Sequence, residues 1–237
     1  MKVKFSPSLM CMDLLNIEKE IKILDEKSQR LKQLTADLVE ASKISSGNVK
    51  LDMQVIDLVE LVYQTSGEFN EKFEQKELTI VTKLPKTAVL IRADGRQLYR
   101  VIENLYNNVA KYALEKTRVY VDIAYVEEKV VFSIKNVSEH SLARENSNAG
   151  DLTERFIRGD SSRTTEGSGL GLSIAKSLTV LMGGVFDIKV DGDLFKASIT
   201  FPQYVDENSS NPKMEEPASE DDYEIEELEP EERTEEE

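Results

Sequence analysis

Between Asp94 and Ala113 the chain carries two separate faces on one helix, and this limits what it can fold into. Asp94 is a good N-cap. On a wheel at about 100° per residue with Asn104 at zero, Leu98, Val101, Ile102, Leu105 and Val109 fall between about +60° and about +160°. A stripe of that width has to be buried against a sheet or other helices. Beside it, Asn108 falls at about +40° and Lys111 at about −20°, so Asn104, Asn108 and Lys111 share a polar face. Amide oxygens and an ammonium in such a row suit a hydrated Mg²⁺ and a phosphate. On a helix standing alone the same residues would read as an ordinary exposed face.

The surrounding pattern alternates helix and strand. Residues 17–45 place Ile17, Ile21, Leu24, Leu31, Leu38 and Ala41 in steps of three and four, with Ser28 and Thr35 filling the stripe. This is a heptad seam, and it predicts a long helix that packs against partner helices. Ser45-Ser46-Gly47-Asn48 stops it. A strand follows near 51–56, then a helix from about Asp57 to Gln75 with Leu58, Leu61, Val62, Phe69 and Phe73 inward. Strands are predicted at 78–83 and 88–92, and Arg118–Val126 and Lys129–Lys135 read as a hairpin closed by Glu127-Glu128. An irregular polar stretch, 137–152, leads to a Gly-rich turn and a helix from about Leu170 to Met182. The last strands, 184–190 and 194–201, are joined by Asp191-Gly192-Asp193. The sum is an α/β (α+β) two-layer sandwich, a mixed sheet covered by helices.

Charge is distributed unevenly. Of a net −15, residues 203–237 contribute 16 acidic against 2 basic residues, a net of −14. The remainder is nearly neutral and shows no basic face for nucleic acid. The tail cannot bury enough apolar area to offset its ordering entropy and is expected to be disordered, with Tyr223, Ile225 and Leu228 as a possible short partner motif. One cysteine, Cys11, excludes an internal disulfide, and one histidine, His140, leaves no Cys/His metal cluster. No apolar run approaches the roughly 18 residues that span a bilayer, so the expectation is a cytoplasmic chain as written.

A second element bears on the polar helix face. In Gly167-Ser168-Gly169-Leu170-Gly171-Leu172-Ser173, residues without Cβ expose amide N–H groups at a helix N-terminus, where phosphate binds. No Lys-Ser/Thr pair follows as in a P-loop, and no strand runs straight into it as in a dinucleotide fold.

Three motifs in order carry a family resemblance. Glu103-Asn104-Leu105-Tyr106-Asn107-Asn108-Val109-Ala110-Lys111-Tyr112 resembles the N box of two-component sensor histidine kinases, Glu154-Arg155-Phe156-Ile157-Arg158-Gly159-Asp160 their F box, and Gly167–Leu172 their second glycine box. The resemblance covers roughly residues 9–202. It implies the Bergerat, or GHKL, ATP-binding fold, with ATP and Mg²⁺ as ligands. By resemblance Asn108 ligates Mg²⁺ with Asn104 nearby, Lys111 contacts phosphate, and Tyr112 lies against the adenine or ribose. Gly167, Gly169 and Gly171, with Leu170 and Leu172, shape the phosphate lid. Arg158 and Arg163 serve as lid cations, and Phe156 anchors the lid.

The chain departs from the family in two places. The first glycine box is normally Asp-x-Gly-x-Gly, whose carboxylate accepts from the adenine amino group. Asn136-Val137-Ser138-Glu139-His140 stands there, and the Asn136 carbonyl can accept the same bond without charge. His140 is expected to be a solvent-facing loop residue. The phosphoacceptor histidine, five residues before a proline, is also absent: if Pro7 is that proline, the position is Lys2, and if Asp13-Leu14-Leu15 sets the register it falls before Met1. Residues 1–48 are therefore expected to be a truncated dimerisation region, 49–202 the catalytic domain and 203–237 the tail. The position four residues before Asn108, which holds a water-activating glutamate in ATPases of this fold, is Asn104. Glu103 lies about 140° away from Asn108 and is poorly aimed as a base.

What the resemblance implies is phosphoryl transfer from ATP to a histidine on a dimerisation domain, upstream in the same chain or in trans. A response regulator receiver domain is the next partner, and any homodimer is weakened by the truncation. Full-length relatives are often anchored in the membrane by an upstream segment. Two alternatives keep the fold: a nucleotide-binding interaction module that regulates a full kinase, and a serine kinase of the anti-sigma type, which normally lacks the long N-terminal helix.

Overall fold

The computed structural model describes residues 17–45, 49–139, 170–205 and 223–228. Helix α1 (Ile17–Ser45) leads to β1 (Gln54–Asp57), α2 (Leu58–Glu74), β2 (Thr79–Pro85), β3 (Leu90–Ala93) and α3 (Gly95–Tyr112). Strands β4 (Arg118–Val126) and β5 (Lys129–Val137) follow, then α4 (Gly171–Leu181), β6 (Val185–Asp191), β7 (Leu194–Pro202) and β8 (Tyr223–Leu228).

Six strands form one sheet in the order β6-β7-β5-β4-β2-β8, in which only β2 and β4 run parallel. Alternation along β4, β5 and β7 buries one face: Val119, Val121 and Ile123 lie beside Val130, Phe132 and Ile134, and these beside Phe195, Ala197 and Ile199. Helices α2, α3 and α4 cover this face, giving the two-layer sandwich of the sequence reading. The five residues of the α3 stripe are all at most 1% exposed. Tyr106, outside that stripe, is also fully buried, because α2 packs on its flank: Phe73 stacks on its ring and its hydroxyl lies 2.7 Å from Ser66 Oγ.

Among the described residues strands β1 and β3 form a separate two-stranded antiparallel ribbon. Two N-caps fasten it. Asp57 accepts from Val59 N of α2 and from Val89 N, and Asp94 accepts from Arg96 N and Gln97 N of α3 and from Asp52 N. Each carboxylate thus starts a helix and pins the ribbon to it. Helix α4 closes with Gly183 at φ +83, a left-handed position that glycine adopts at little cost, while Gly183 N and Gly184 N donate to Val180 O and Thr179 O.

Two short pieces of the tail, 203–205 and 223–228, are described and pair with the domain. Gln203 bridges Ile91, Tyr204 N donates to Leu90 O, and Tyr223–Leu228 forms β8, antiparallel to β2. The compositional argument concerns side-chain burial, whereas an edge strand is held by its backbone. The rest of the tail, and residues 1–16, lie outside the described residues.

Candidate nucleotide-binding site

The polar face of α3 meets the start of α4. A β-carbon built on Gly171 would lie 2.9 Å from Asn104 Oδ1. Asn104 is held there because its Nδ2 donates to Arg100 O at 2.9 Å, one turn back along α3. The first turn of α4 is capped by Leu170, which supplies no side-chain acceptor, and it contains no acidic residue. Its backbone N–H groups keep their partial positive charge, a feature that favours an anion. Leu172 is buried beneath it, and Ser173 Oγ donates to Leu170 O.

Asn108 follows Asn104 by one turn and is half-buried, whereas Lys111 is exposed and Tyr112 half-buried at the end of the helix. This end is tied down from two sides. Lys76 Nζ donates to Lys111 O at 2.9 Å, and Glu139 N donates to Tyr112 O at 2.9 Å. Leu114 N donates to Val137 O, and Ala113 and Ser138 form an isolated bridge. The end of β5 is therefore fixed to the end of α3, and Asn136 is carried in with it.

Asn136 is 1% exposed and lies in the β5 row that faces the helices, after Phe132 and Ile134. Its Nδ2 donates to Val137 O at 3.0 Å, but its Oδ1 is buried without a partner among the described residues. Leaving a buried acceptor unmade costs about 1–3 kcal/mol, so a fold that keeps one has a reason to. An exocyclic amine of a purine is a donor of the kind this oxygen lacks.

The residues present thus fit a nucleotide: a buried acceptor for a base, a row of amides and an ammonium along α3, and a helix start without a side-chain cap for phosphate. Among the described residues no group of three or more His, Cys, Asp or Glu could hold a metal. Asn108, the Mg²⁺ ligand that the resemblance implies, offers an amide oxygen on the same face as Asn104. Arg158, Arg163, Phe156, Gly167, Gly169 and His140 lie outside the described residues.

Some supporting residues escaped the sequence reading. Ser138 is 7% exposed, and its N–H donates to Asp193 O at 2.8 Å, locking the end of β5 to the β6–β7 turn. Nothing in a single sequence marks that contact. Ser66 had a weak signal, since a small polar residue interrupts the apolar face of α2 opposite Tyr106.

Residues 93–212 match the family of histidine kinase-, DNA gyrase B- and HSP90-like ATPases, and the chain belongs to it. Its curated relatives place it on the histidine kinase side. It is 28% identical over 164 residues to the alginate biosynthesis sensor protein KinB of Pseudomonas aeruginosa, covering 69% of this chain and 27% of that protein. It is 25% identical over 183 residues to the sensor histidine kinase WalK of Bacillus subtilis, covering 76% and 30%. The chain thus spans under a third of the length of these two relatives. In fold it is similar to the Acinetobacter baumannii histidine kinase AdeS, with a TM-score of 0.64, 17% identity and coverage of 84% and 86%. It is also similar to the catalytic domain of the histidine kinase ThkA, with a TM-score of 0.56, 20% identity and coverage of 65% and 97%. The chain carries an ATP-binding domain of the sensor histidine kinase type.

Proposed function

We propose that this chain binds Mg·ATP and transfers its γ-phosphoryl group to a histidine on a dimerisation domain, from which a response regulator receiver domain takes it. The Oδ1 of Asn136, without a partner among the described residues, carries the reading, since it is the buried acceptor an adenine amino group would satisfy. Asn136 orients the base and Tyr112 borders it. Asn104 and Asn108 position the phosphates from α3, Asn108 holding the Mg²⁺, and Lys111 adds a cation. Gly171, with Leu170 and Leu172, sets the start of α4 against the phosphates, and Gly167, Gly169, Arg158 and Arg163 complete the lid. Mg²⁺ neutralises phosphate charge when bound. Asn104 stands where a hydrolase of this fold carries its base, so the site favours transfer to a supplied acceptor over attack by water.

The apolar seam of α1 supports a helical partner. Leu24, Leu31 and Leu38, spaced by sevens, are 52%, 65% and 64% exposed. A cleft of about 820 Å³ between α1 and the domain, lined by Leu31, Thr35, Val39, Gln97, Arg100 and Leu178, opens one turn before Asn104. Among the described residues no helix is long and apolar enough to cross a membrane. The domain works on the cytoplasmic side in this reading, whatever anchors the whole protein.

The test is calorimetric titration of the chain and of Asn108→Ala with Mg·ATP, followed by radiolabel transfer to an added dimerisation domain that contains its histidine. Binding by the unaltered chain, lost in the variant, together with transfer is the expected result. Absence of binding by both would remove the kinase reading.

A further inference from the structure

Strand β2 has β4 on one side, and on the other only β8, a segment from the far end of the chain. Without β8, the seven residues Thr79–Pro85 would present a row of open N–H and C=O groups, a template for any extended segment. Ile80 and Leu84 of this strand are buried in the core, so the edge is rigidly held. Six consecutive residues cover it, in the register Ile80↔Leu228 to Pro85↔Tyr223.

The cover matches the edge in charge. Residues 76–86 contain Lys76, Lys83 and Lys86 against Glu77, a net of +2, whereas residues 220–229 contain seven acids and no base. Ile225 is the register partner of Lys83, and Glu224 and Glu226, one residue to either side, alternate to the opposite face of the sheet, so the match is one of overall charge and not of residue pairs. The connection also reaches. Strands lie about 4.8 Å apart, so the four steps from β7 to β8 span roughly 19 Å, while the chain 206–222 extends to about 60 Å at most. A segment tethered on this scale competes at an effective concentration on the order of millimolar.

We propose that the β2 edge is a strand-accepting binding site for an extended acidic peptide, and that Tyr223–Leu228 is its resident occupant, which a partner's segment must displace. Backbone pairing supplies the affinity and the lysines around β2 select the acidic sequence. The acidic residues of β8, now the outermost strand, discourage a further strand from adding to it. This inference does not depend on the nucleotide reading.

The probe is a fluorescent peptide with the sequence of residues 220–230. It is titrated into the full chain and into the full chain carrying Ile225→Pro together with Glu226→Pro, so that whichever N–H faces β2 is lost. The variant is expected to bind the peptide at least about tenfold more tightly than the unaltered chain, the displacement that a tethered competitor imposes. The same peptide with both prolines is expected not to bind. Equal affinity for the two chains, binding of the proline peptide, or no binding to either chain would overturn the proposal. Amide exchange on the unaltered chain gives an independent reading: slow exchange across Ile80–Leu84 is expected, and free-edge rates at the β2 amides that point away from β4 would overturn it as well.

Discussion

Gly171 and Asn104 touch: there is room for the amide oxygen of Asn104 only because residue 171 has no Cβ, which would sit 2.9 Å from it. Asn104 cannot easily yield, because its Nδ2 is bonded to Arg100 O. Gly171→Ala is therefore expected to displace Asn104 or the start of α4 and to weaken Mg·ATP binding by on the order of tenfold, about 1.4 kcal/mol. The shift costs packing energy that the better helix propensity of alanine partly offsets, so thermal stability should fall by less than binding does. Calorimetry beside a melting curve separates the two; a loss of stability that parallels the loss of binding would mean that Gly171 serves packing alone.

Asn136 gives a prediction of opposite sign for folding and binding. Asn136→Leu removes a buried acceptor that has no partner among the described residues, so unfolding in urea should show stability unchanged or raised. Binding of ATP should fall at least about tenfold, the order expected when one buried hydrogen bond to a ligand is lost. Asn136→Asp keeps the acceptor and adds the family's usual charge, and should bind adenine nucleotides at least as tightly as the unaltered chain.

Asp94 ties pH to the fold. Burial pushes its carboxyl up, but the N–H groups of Asp52, Gln97 and Arg96, with the Arg96 charge, more than offset this and hold it below the ordinary 3.8. A depressed acid stabilises above its unfolded value and loses that contribution as pH falls through its folded value, so the loss lies below pH 3.8. Asp94→Ala should cost about 1–2 kcal/mol at neutral pH, the range for a lost N-cap, and its difference from the unaltered chain should shrink in acid. Denaturant titrations at neutral and strongly acidic pH check this.

Asp122 behaves in the reverse sense. It lies on the outer face of the sheet with Oδ1 buried and without a partner among the described residues. Burial raises its carboxyl above 3.8, against the pull of Lys135, Lys83 and Lys196. The folded chain then holds this proton more tightly than the unfolded one, so stability is lost as pH rises through the folded value. Asp122→Asn should raise the melting temperature at pH 7, with the gain fading as the pH drops below the carboxylate range.

Much of the domain was legible because side-chain periodicity is a local property. The stripe from Leu98 to Val109 fixed which face of α3 is buried, and the cap at Asp94 fixed where the helix begins. The motifs around Asn104 and Gly171 could be read as parts of one site by family resemblance. Their contact could not, since it depends on how closely two helices approach. The order of the sheet was not legible either: alternation makes β1 and β3 look like sheet strands, and only the packed structure pairs them apart.

By itself, then, the sequence determined the elements up to residue 202 and their buried faces, because each follows from the spacing of residues within a turn or a strand. Tertiary structure alone decided that the Asn136 acceptor is buried and without a partner among the described residues, that Tyr106 and Ser66 join α2 to α3, and that the acidic segment 223–228 pairs with β2. These depend on contacts between residues far apart in the chain, where burial and backbone pairing can override what composition suggests. The β8 strand makes the point most clearly. Its composition argues for solvation, yet an open sheet edge offers hydrogen bonds that need no apolar side chain.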